Sequence, residues 1–373
     1  MLLQPARIEA FACRAPVETP VQTSFGIMRD RPAVFVRITD ADGAEGWGEV
    51  WCNFPTVGAE HRARLVDSVF APLLLGKAFE SPAAAFAELT QQTTVLAIQA
   101  AEPGPIAQCI AGLDIALWDL HARRSGQPLW RLLGGAAGSV PVYASGLNPT
   151  APEALAAQKR AEGYGAFKLK IGFGLERDRA NLKALRSVTG DGPLMVDANQ
   201  AWDLETSITM AAALQEFDLA WLEEPLRADR PWPEWQQLAK RCGIGLAAGE
   251  NLASDDAFDA AIGSRALAVV QPDIAKWGGF SACLPVARKI RAAGLRYCPH
   301  YLGAGIGLLA SAHLLAAVGG DGMLEIDANP NPLRALSCDA AAQVVDGRID
   351  LGAGAGLGSS LDPATFGEFR VPH

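Results

Sequence analysis

The chain has 373 residues, half of them apolar and 20% charged, and its formal net charge is -9. This length exceeds what one hydrophobic core usually supports, so we expect two folding units or one barrel with attachments. The acidic balance argues against a nucleic-acid-binding protein, because neutralising phosphates needs a basic face. The 7 cysteines show no CxxC spacing, which indicates neither a disulfide framework nor a zinc site. Neither a signal-peptide core nor a membrane-length apolar run is present, so we expect a cytoplasmic protein.

Strand-like alternation characterises the first 50 residues, with a hairpin signal at Asp42-Gly43. The pattern is helical over about 60–134, and Ser-Gly-Gln-Pro at 125–128 should end its last long helix. Apolar residues recur in this helix at three- or four-residue spacing, at Ile106, Ile110, Leu113, Leu117 and Leu120. Strands followed by helices predict an α+β unit.

Eight short apolar runs follow Gly135, separated by amphipathic helical stretches. They begin near residues 140, 166, 194, 220, 245, 268, 295 and 323, at intervals of 23 to 28 residues. A strand and a helix repeated at this period predict a parallel α/β barrel. A doubly wound open sheet is the alternative, but the glycine-rich segments come late and do not fit GxGxxG.

Ionisable residues stand where nearly every predicted barrel strand ends, and this edge of a barrel carries the active site. Lys168 and Lys170 lie two positions apart on the second strand, so both side chains face the same way. The next three strands end in carboxylates, at Asp197, at Glu223-Glu224 and at Glu250. Three neighbouring carboxylates should converge on one point, and all-oxygen ligation favours Mg2+ over zinc.

The remaining strand ends supply an acid–base pair. Asp273 and His300 end neighbouring strands, which lie roughly 4.8 Å apart, so a hydrogen bond that orients the imidazole is reachable. Glu325 ends the eighth strand. Any one of these residues alone could be a helix cap or a surface charge. The functional interpretation therefore depends on the whole set.

The ordered motifs resemble those of the enolase superfamily, in its mandelate racemase and muconate lactonising branch. GLDIALWDLHARRSGQPLWRLLGG is similar to the segment that joins cap to barrel in that branch, and FKLKIG, VDANQAW, LEEP, AGEN, QPDIAKWGG and LEID follow in the family's order. The resemblance implies an N-terminal α+β capping domain at 1–130 and a modified TIM barrel of the (β/α)7β type at 131–352. A C-terminal segment at 353–373 should return to the cap.

The resemblance also implies a metal site and a base. The implied magnesium ligands are Asp197, Glu223 and Glu250. Glu224 is not among them, because the family's ligand is the first Glu of the pair. Lys170 matches the base on one face of the substrate, and Lys168 matches the cation beside the substrate carboxylate. We expect the metal and Lys168 to lower the pKa of Lys170 toward working pH.

On the opposite face the resemblance places His300, held by Asp273, as the acid or base. Glu325 matches the donor to the second carboxylate oxygen, which requires a protonated carboxyl group. Asn199 fits a position near the metal. Lys276 stands where the lactonising enzymes place a lysine base, but because both Asp273 and His300 are present we interpret it as a supporting residue.

Substrate specificity in this family comes from cap loops that close over the barrel mouth, here 18–31 and 50–57. Trp51 and Asn53 are the candidate substrate contacts, and the bulky groups of the second loop count slightly against a long sugar acid. Asp327 could meet a cationic substrate group, although a solvated strand-end carboxylate is the favoured interpretation.

Together these roles predict Mg2+-dependent removal of the proton next to the carboxylate of a small molecule, through an enediolate. The activities common among members of this family favour dehydration of a hydroxy acid or sugar acid to a 2-keto acid. Racemisation or epimerisation is the alternative. A cycloisomerase that uses Lys276, and a non-catalytic scaffold, stay open. We also expect a homo-oligomer without nucleic-acid or membrane partners.

Overall fold

The N-terminal part of the chain begins with an antiparallel sheet. The computed structural model describes residues 2–338, 343–359 and 361–373. Its first strands are β1 (Pro5–Gln22), β2 (Ile27–Asp40) and β3 (Glu45–Val50). β2 pairs with both neighbours, and the predicted hairpin turn joins it to β3. Gly43 in that turn has a φ of 84°, which glycine adopts without a steric penalty.

Helices follow this sheet, as the helical pattern predicted. They are α1 (Gly58–Leu65), a π-helical turn (Val66–Phe70), α2 (Ala71–Leu74), α3 (Pro82–Gln99), α4 (Pro103–Arg124) and α5 (Leu129–Leu132). All five predicted apolar positions of α4 are buried. α4 packs so closely on β3 that a Cβ at Gly48 would overlap the carbonyl oxygen of Gly112. The N-terminal α+β unit is confirmed.

Eight parallel strands form the second part of the molecule. They are β4 (Ser139–Leu147), β5 (Phe167–Lys170), β6 (Leu194–Asp197), β7 (Leu222–Glu223), β8 (Leu246–Ala248), β9 (Val269–Val270), β10 (Arg296–Tyr297) and β11 (Leu324–Asp327). They pair in the order β10-β9-β8-β7-β6-β5-β4-β11. The ends of this row meet, because the backbone N–H of Tyr301 donates to Glu325 at 3.2 Å. The predicted TIM-like barrel is confirmed.

One helix follows each of the first seven barrel strands, which gives the (β/α)7β pattern. These helices are α6 (Pro152–Ala161), α7 (Leu175–Thr189), α8 (Leu204–Leu214), α9 (Trp232–Cys242), α10 (Asp255–Ser264), α11 (Gly279–Ala292) and α12 (Gly305–Val318). A 3-10 turn (Gln215–Phe217) extends α8. Across the described part of the chain, no helix is both long and apolar enough to cross a membrane.

Three short elements of the described chain after β11 were not predicted. They are α13 (Pro332–Ser337), β12 (Arg348–Asp350) and a 3-10 turn (Gly367–Phe369), and β12 pairs antiparallel with β4. Below the barrel mouth the interior is filled by a layer of seven buried side chains, Tyr143, Ala166, Met195, Trp221, Ala247, Val269 and Cys298. This layer closes the floor under the strand ends.

The C-terminal segment runs back to the N-terminal sheet. The backbone N–H of Val371 donates to the carbonyl oxygen of Ala12 at 2.9 Å. The ring of Phe366 lies 5.5 Å from that of Phe11 and 5.2 Å from that of Phe35, between centroids. The domain boundaries at residues 130 and 352 stay a prediction.

Two buried aspartates of α4 tie the cap to other parts of the chain, Asp114 to the barrel and Asp119 to the C-terminal segment. Asp114 accepts hydrogen bonds from the backbone N–H and the hydroxyl of Ser281, at the start of α11, at 3.0 and 2.5 Å. Asp119 accepts from the backbone N–H groups of Trp47 and Leu357, at 2.8 and 2.7 Å. Both carboxylates belong to the segment that carried the family resemblance.

Candidate active site at the barrel mouth

The two lysines of β5 point into the barrel mouth, each against a carboxylate. Lys170 lies opposite Asp197 of β6, and its Nζ is 2.5 Å from Asp197 Oδ2. Lys168 Nζ lies 2.6 Å from Glu223 Oε1 and 2.7 Å from Glu325 Oε1. All of these side chains are buried. The structure therefore gathers the predicted cations and anions in one network.

The network sets the charge of both lysines. Burial lowers the pKa of Lys168, but the carboxylates of Glu223 and Glu325 outweigh it and raise the pKa well above its ordinary value. Burial and the charge of Lys168 likewise lower the pKa of Lys170, yet Asp197 raises it overall. In this arrangement the adjacent carboxylate dominates, and it favours the ammonium form of Lys170. The lowering expected from the metal and Lys168 together stays a prediction for the metal-bound site.

Glu325 is an acceptor rather than the predicted protonated donor. Burial raises its pKa, but the cations of Lys168 and His300 lower it to about 2. Its Oε1 also accepts a hydrogen bond from the hydroxyl of Ser145, and its Oε2 accepts from the backbone N–H of Tyr301 at 3.2 Å. Lys168 contacts this carboxylate directly and favours its ionised form in this arrangement, and the role of Glu325 as a donor to a bound substrate stays a prediction.

The predicted contact between Asp273 and His300 is present. His300 Nδ1 lies 2.7 Å from Asp273 Oδ2, and Nε2 lies 2.7 Å from Glu250 Oε2. Asp273 is fixed in turn by two backbone N–H groups, at 2.9 and 3.0 Å. Burial lowers the pKa of His300, but Glu250 and Glu325 raise it well above its ordinary value. His300 is therefore an imidazolium between two carboxylates.

Lys276 reaches the same region from the turn after β9. Its Nζ lies 2.8 Å from Asn251 Oδ1 and 3.4 Å from Glu250 Oε1. The ammonium also stands 4.9 Å from the ring centroid of Trp51. Lys276 thus joins a cap side chain to the carboxylate that His300 contacts.

Glu223 has both carboxylate oxygens occupied by the protein. In addition to Lys168, it accepts hydrogen bonds from Trp221 Nε1 at 3.1 Å and from Gln271 Nε2 at 2.7 Å. Burial raises its pKa to about 7, and Lys168 opposes that rise. Its donors place this carboxylate inside the barrel, above the floor layer.

Glu224, which the sequence interpretation set aside, is also buried at the mouth. Its Oε1 accepts a hydrogen bond from Asn251 Nδ2 at 2.8 Å, and its Oε2 has no partner among the described residues. Burial, then the charges of Glu250 and Asp197, raise the pKa of Glu224 well above its ordinary value. Its φ of 41° is uncommon for a glutamate and marks a constrained backbone.

The predicted convergence of three carboxylates on one point is not seen. Within 2–338, 343–359 and 361–373, no three metal-ligating side chains surround a common position. Each predicted ligand instead forms an ion pair with a cation of the chain, and the shared metal site stays a prediction. These pairs are Asp197 with Lys170, Glu223 with Lys168, and Glu250 with His300.

The donor set nevertheless fits a hard divalent cation. Asn199 donates to Asp197 from its backbone at 2.8 Å and from its side chain at 3.0 Å, as its predicted position near the metal requires. Asn199 Oδ1 and Glu224 Oε2 are buried oxygens without a partner among the described residues. Unsatisfied buried acceptors beside crowded carboxylates are groups that a cation would satisfy.

A cavity of about 390 Å³ opens over these groups. Its lining comes from both parts of the chain: Thr23, Phe25, Trp51, Asn53, Phe54, Lys170, Asn199, Gln200, Glu250, Asn251, Lys276, His300 and Leu302. Both predicted cap loops contribute to it. Trp51 lines the cavity with its Nε1 unpartnered in the described chain, and Asn53 donates to the carbonyl oxygen of Leu302.

Asp327 corrects both interpretations made from the sequence. It is buried, so it is not a solvated strand-end carboxylate. It forms a buried ion pair with Arg31 of β2 and accepts two hydrogen bonds from Asn329, at 3.0 and 2.8 Å. Its charge is therefore used to fasten the cap to the barrel and is not offered to a substrate.

Sequence reasoning missed two polar residues of this network, Ser145 and Gln271. Ser145 lies near the end of the first barrel strand, and Gln271 precedes Asp273 by two positions on the same face. The strand-end rule places both residues at the mouth. They were missed because the rule was applied to ionisable side chains alone.

The fold and the mouth together define a class of protein: barrel enzymes whose lysines, histidine and carboxylates stand at the ends of parallel strands. Residues 7–134 match the family described as "Mandelate racemase / muconate lactonizing enzyme, N-terminal domain". Residues 152–365 match the one described as "Enolase C-terminal domain-like". The chain belongs to the mandelate racemase/muconate lactonizing enzyme family of the enolase superfamily.

Three relatives describe the range of that similarity. A mandelate racemase/muconate lactonizing enzyme from Bordetella bronchiseptica RB50 is 58% identical, with a TM-score of 0.93 over 98% of this chain and 99% of that one. The 3,6-anhydro-alpha-L-galactonate cycloisomerase of Streptomyces coelicolor is 34% identical over 79% of this chain and 81% of its own. The L-talarate/galactarate dehydratase of Salmonella typhimurium LT2, crystallised with Mg and L-lyxarohydroxamate, is 28% identical, with a TM-score of 0.85 over 98% and 92%.

Proposed function

We propose that this protein removes the α proton of a small carboxylate with the help of Mg2+, and that it dehydrates a hydroxy acid or sugar acid to a 2-keto acid. The observation that carries the proposal is that Lys170 and His300 line one cavity from strands β5 and β10. These strands are three steps apart one way around the ring and five the other. A substrate between them would present opposite faces to the two groups.

The metal would be held by Asp197, Glu250 and one of the pair Glu223 and Glu224. Bound there, Mg2+ would act as a Lewis acid toward the charge that develops on the substrate carboxylate. Lys168 pairs with Glu223 and Glu325, and it would be released to the same substrate carboxylate if Glu223 is the residue that binds the metal. The named dehydratase relative, crystallised with Mg, supports the choice of metal.

Lys170 must be neutral to take a proton, and the ion pair with Asp197 prevents this. Once Asp197 is committed to a metal, its charge no longer raises the pKa of Lys170. Burial and Lys168 then both lower that pKa. Asp197 is both the partner of Lys170 and a proposed metal ligand. The ability of Lys170 to act as a base therefore depends on metal binding.

The protonated form of His300 suits protonation of a leaving hydroxyl group. Its ring nitrogens lie 2.7 Å from Asp273 and 2.7 Å from Glu250. Once Glu250 is committed to a metal, Glu325 and Asp273 still raise the pKa of His300. Delivery of its proton to a β-hydroxyl releases water and leaves an enol, which takes up a proton at the β-carbon to give the 2-keto acid. Delivery of the proton to the α-carbon instead completes an epimerisation. The acid form is compatible with both, and the dehydratase relative favours the first.

A cycloisomerase is the second candidate, because Lys276 lines the same cavity and stands over Trp51. A cycloisomerase relative at 34% identity supports keeping it. In that case Lys276→Ala abolishes turnover, whereas His300→Asn does not. If the protein is a dehydratase, His300→Asn abolishes turnover, whereas Lys276→Ala does not.

The test is incubation of the full chain and Mg2+ with a panel of hydroxy acids and acid sugars in D2O, followed by NMR. We expect release of a 2-keto acid from at least one acid, with EDTA abolishing it. Deuterium at the α-carbon without keto-acid release would replace dehydration with epimerisation. A homo-oligomeric assembly is proposed alongside and is checked by light scattering.

A further inference from the structure

The loop that carries His300 leads into a helix that does not cap itself. α12 begins directly after this loop, residues 300–304, and Ala304 at its N-cap position has no side-chain acceptor. The first turn of α12 also contains no acidic residue. The first N–H groups of a helix need acceptors and carry a partial positive charge. Whatever supplies those acceptors fixes the end of the His300 loop.

The acceptor comes from the cap, 255 residues earlier in the chain. Glu49 of β3 is 2% exposed and reaches across to the barrel. One oxygen accepts from the backbone N–H of Ala304 at 2.6 Å, and the other accepts from that of Gly307 at 2.9 Å. The hydroxyl of Tyr301 also hydrogen-bonds to Glu49. A single carboxylate thus holds both ends of the segment that follows His300.

A second cap residue holds the middle of the same loop. Asn53, four positions after Glu49, donates its side-chain amide to the carbonyl oxygen of Leu302. The backbone of His300 itself has one long hydrogen bond, 3.3 Å to the carbonyl oxygen of Pro272. Lys170 differs, since it lies within β5 and pairs in the ladder with Asp197. The barrel positions Lys170, whereas the cap positions the loop of His300.

We propose that Glu49 is a positioning residue for His300. It touches neither the cavity nor the imidazole, and it acts by fixing the loop through Tyr301, Ala304 and Gly307. The consequence for turnover rests on the proposed function, in which His300 transfers a proton. The placement of the His300 ring does not rest on the proposed function, so a separate measurement tests it.

The direct test observes the imidazole in the full-length, Mg2+-loaded protein labelled with 15N-histidine. The chain has 5 histidines, and His300→Asn assigns the signal of interest. Glu49→Gln keeps the size of the side chain but turns an amide N–H toward a backbone N–H. We expect the His300 Nδ1–H proton resonance, set by its contact with Asp273, to shift upfield or broaden beyond detection.

The matched control is Asp119→Asn. Asp119 is another buried carboxylate that accepts two backbone N–H groups between the cap and other segments, but it contacts no strand-end loop. The Asp119→Asn variant should leave the His300 signals unchanged. Unchanged His300 signals in Glu49→Gln, or equal changes in both variants, would overturn the proposal. If Glu49→Gln does not fold, Asn53→Ala is measured in its place and must shift the His300 Nδ1–H resonance in the same direction by a smaller amount. An unshifted resonance in Asn53→Ala would also overturn the proposal.

The kinetic test uses the acid with the fastest α-proton exchange in the panel described above. A misplaced catalytic group can cost on the order of 100-fold, so we expect Glu49→Gln to slow exchange on the His300 face by about 10- to 100-fold. Exchange on the Lys170 face should stay within about twofold, and equal loss on both faces contradicts positioning. If the wild-type protein exchanges no acid, the proposed function fails, while the imidazole signals still decide the role of Glu49.

Discussion

Buried carboxylates occur in two regions of this molecule, and their partners differ. At the junction, where the cap meets the rest of the chain, Glu49, Asp114 and Asp119 accept hydrogen bonds mainly from backbone N–H groups. At the barrel mouth, Asp197 and Glu250 each contact a side-chain cation, Lys170 and His300, although Asn199 also donates to Asp197. Backbone donors are fixed by the fold, whereas an ammonium or imidazolium can change partner or lose its proton.

This difference separates carboxylates that build the fold from carboxylates that are free to exchange partners. At the junction, both oxygens of Glu49 have donors. At the mouth, Glu224 Oε2 and Asn199 Oδ1 have none among the described residues. Buried charges that lack a full set of hydrogen bonds are costly. The proposed function accounts for that cost, because the groups of the mouth would bind a metal and a substrate, whereas those of the junction would bind neither.

The largest effect should come from removing a cation of the mouth. Lys170→Ala deletes the proposed base, and general-base catalysis contributes about 10²- to 10⁴-fold, so α-proton exchange should fall by that factor. The matched control is Lys289→Ala, because Lys289 also pairs with a carboxylate, Asp259 at 2.7 Å, but on the surface. Exchange rates by NMR decide the comparison. Equal rates for Lys170→Ala and wild type would remove Lys170 from the reaction.

The next effect separates Glu223 from Glu224 as the third metal ligand. A ligand that binds only the native state raises the melting temperature, by an amount that grows with its concentration. Because the family resemblance makes the first Glu of the pair the ligand, we expect Glu223→Gln to abolish the Mg2+-induced rise in melting temperature. Glu224→Gln should retain this rise. Without Mg2+, Glu224→Gln should melt higher than wild type, because burial and two like charges disfavour its ionised form. Calorimetry with and without 10-fold excess EDTA measures both. The reverse pattern would assign the metal to Glu224.

A smaller effect is expected at the junction and depends on pH. Burial raises the pKa of Asp114 from 3.8 to about 7. Because the native state keeps its proton while the unfolded state loses it, this residue's contribution to stability falls as pH rises from about 4 to about 7 and is constant above. Asp114→Asn removes that dependence, so its stability relative to wild type should increase across this interval. Urea midpoints at four pH values test the sign, and a flat difference would contradict it.

Most of the fold follows from local pattern. All eight barrel strands were predicted, even β9 and β10 with two paired residues each, because the strand–helix period and the strand-end residues are regular. β12 was missed, since three residues with an exposed–buried–exposed pattern carry too little signal. The positions of the strand ends in the sequence also predicted that four residues lie together at the barrel mouth: Lys168, Lys170, Asp273 and His300.

The pairing within the site could not be predicted in the same way. Arg31 meets Asp327 across 296 residues, and no local pattern links them. The ionisation of Glu325 and Lys170 depends on which cation contacts which carboxylate, and that pairing is set by the tertiary structure. The family resemblance assigned roles to these residues, but it carried no information on their charge in this arrangement.

The smallest effect is expected at Ser145. Its hydroxyl donates to Glu325 Oε1, but Lys168 contacts the same oxygen at 2.7 Å and Tyr301 holds the other. A hydrogen bond to a charged acceptor contributes about 1.5–3 kcal/mol. Because Lys168 and Tyr301 still hold this carboxylate, we expect the loss to lie at the low end, so Ser145→Ala should slow exchange about tenfold. Lys168→Ala, which removes the charge from the same carboxylate, should slow it far more. If the two variants lose equal activity, the mouth depends on its neutral donors as much as the junction does, and the distinction between fixed and exchangeable partners fails.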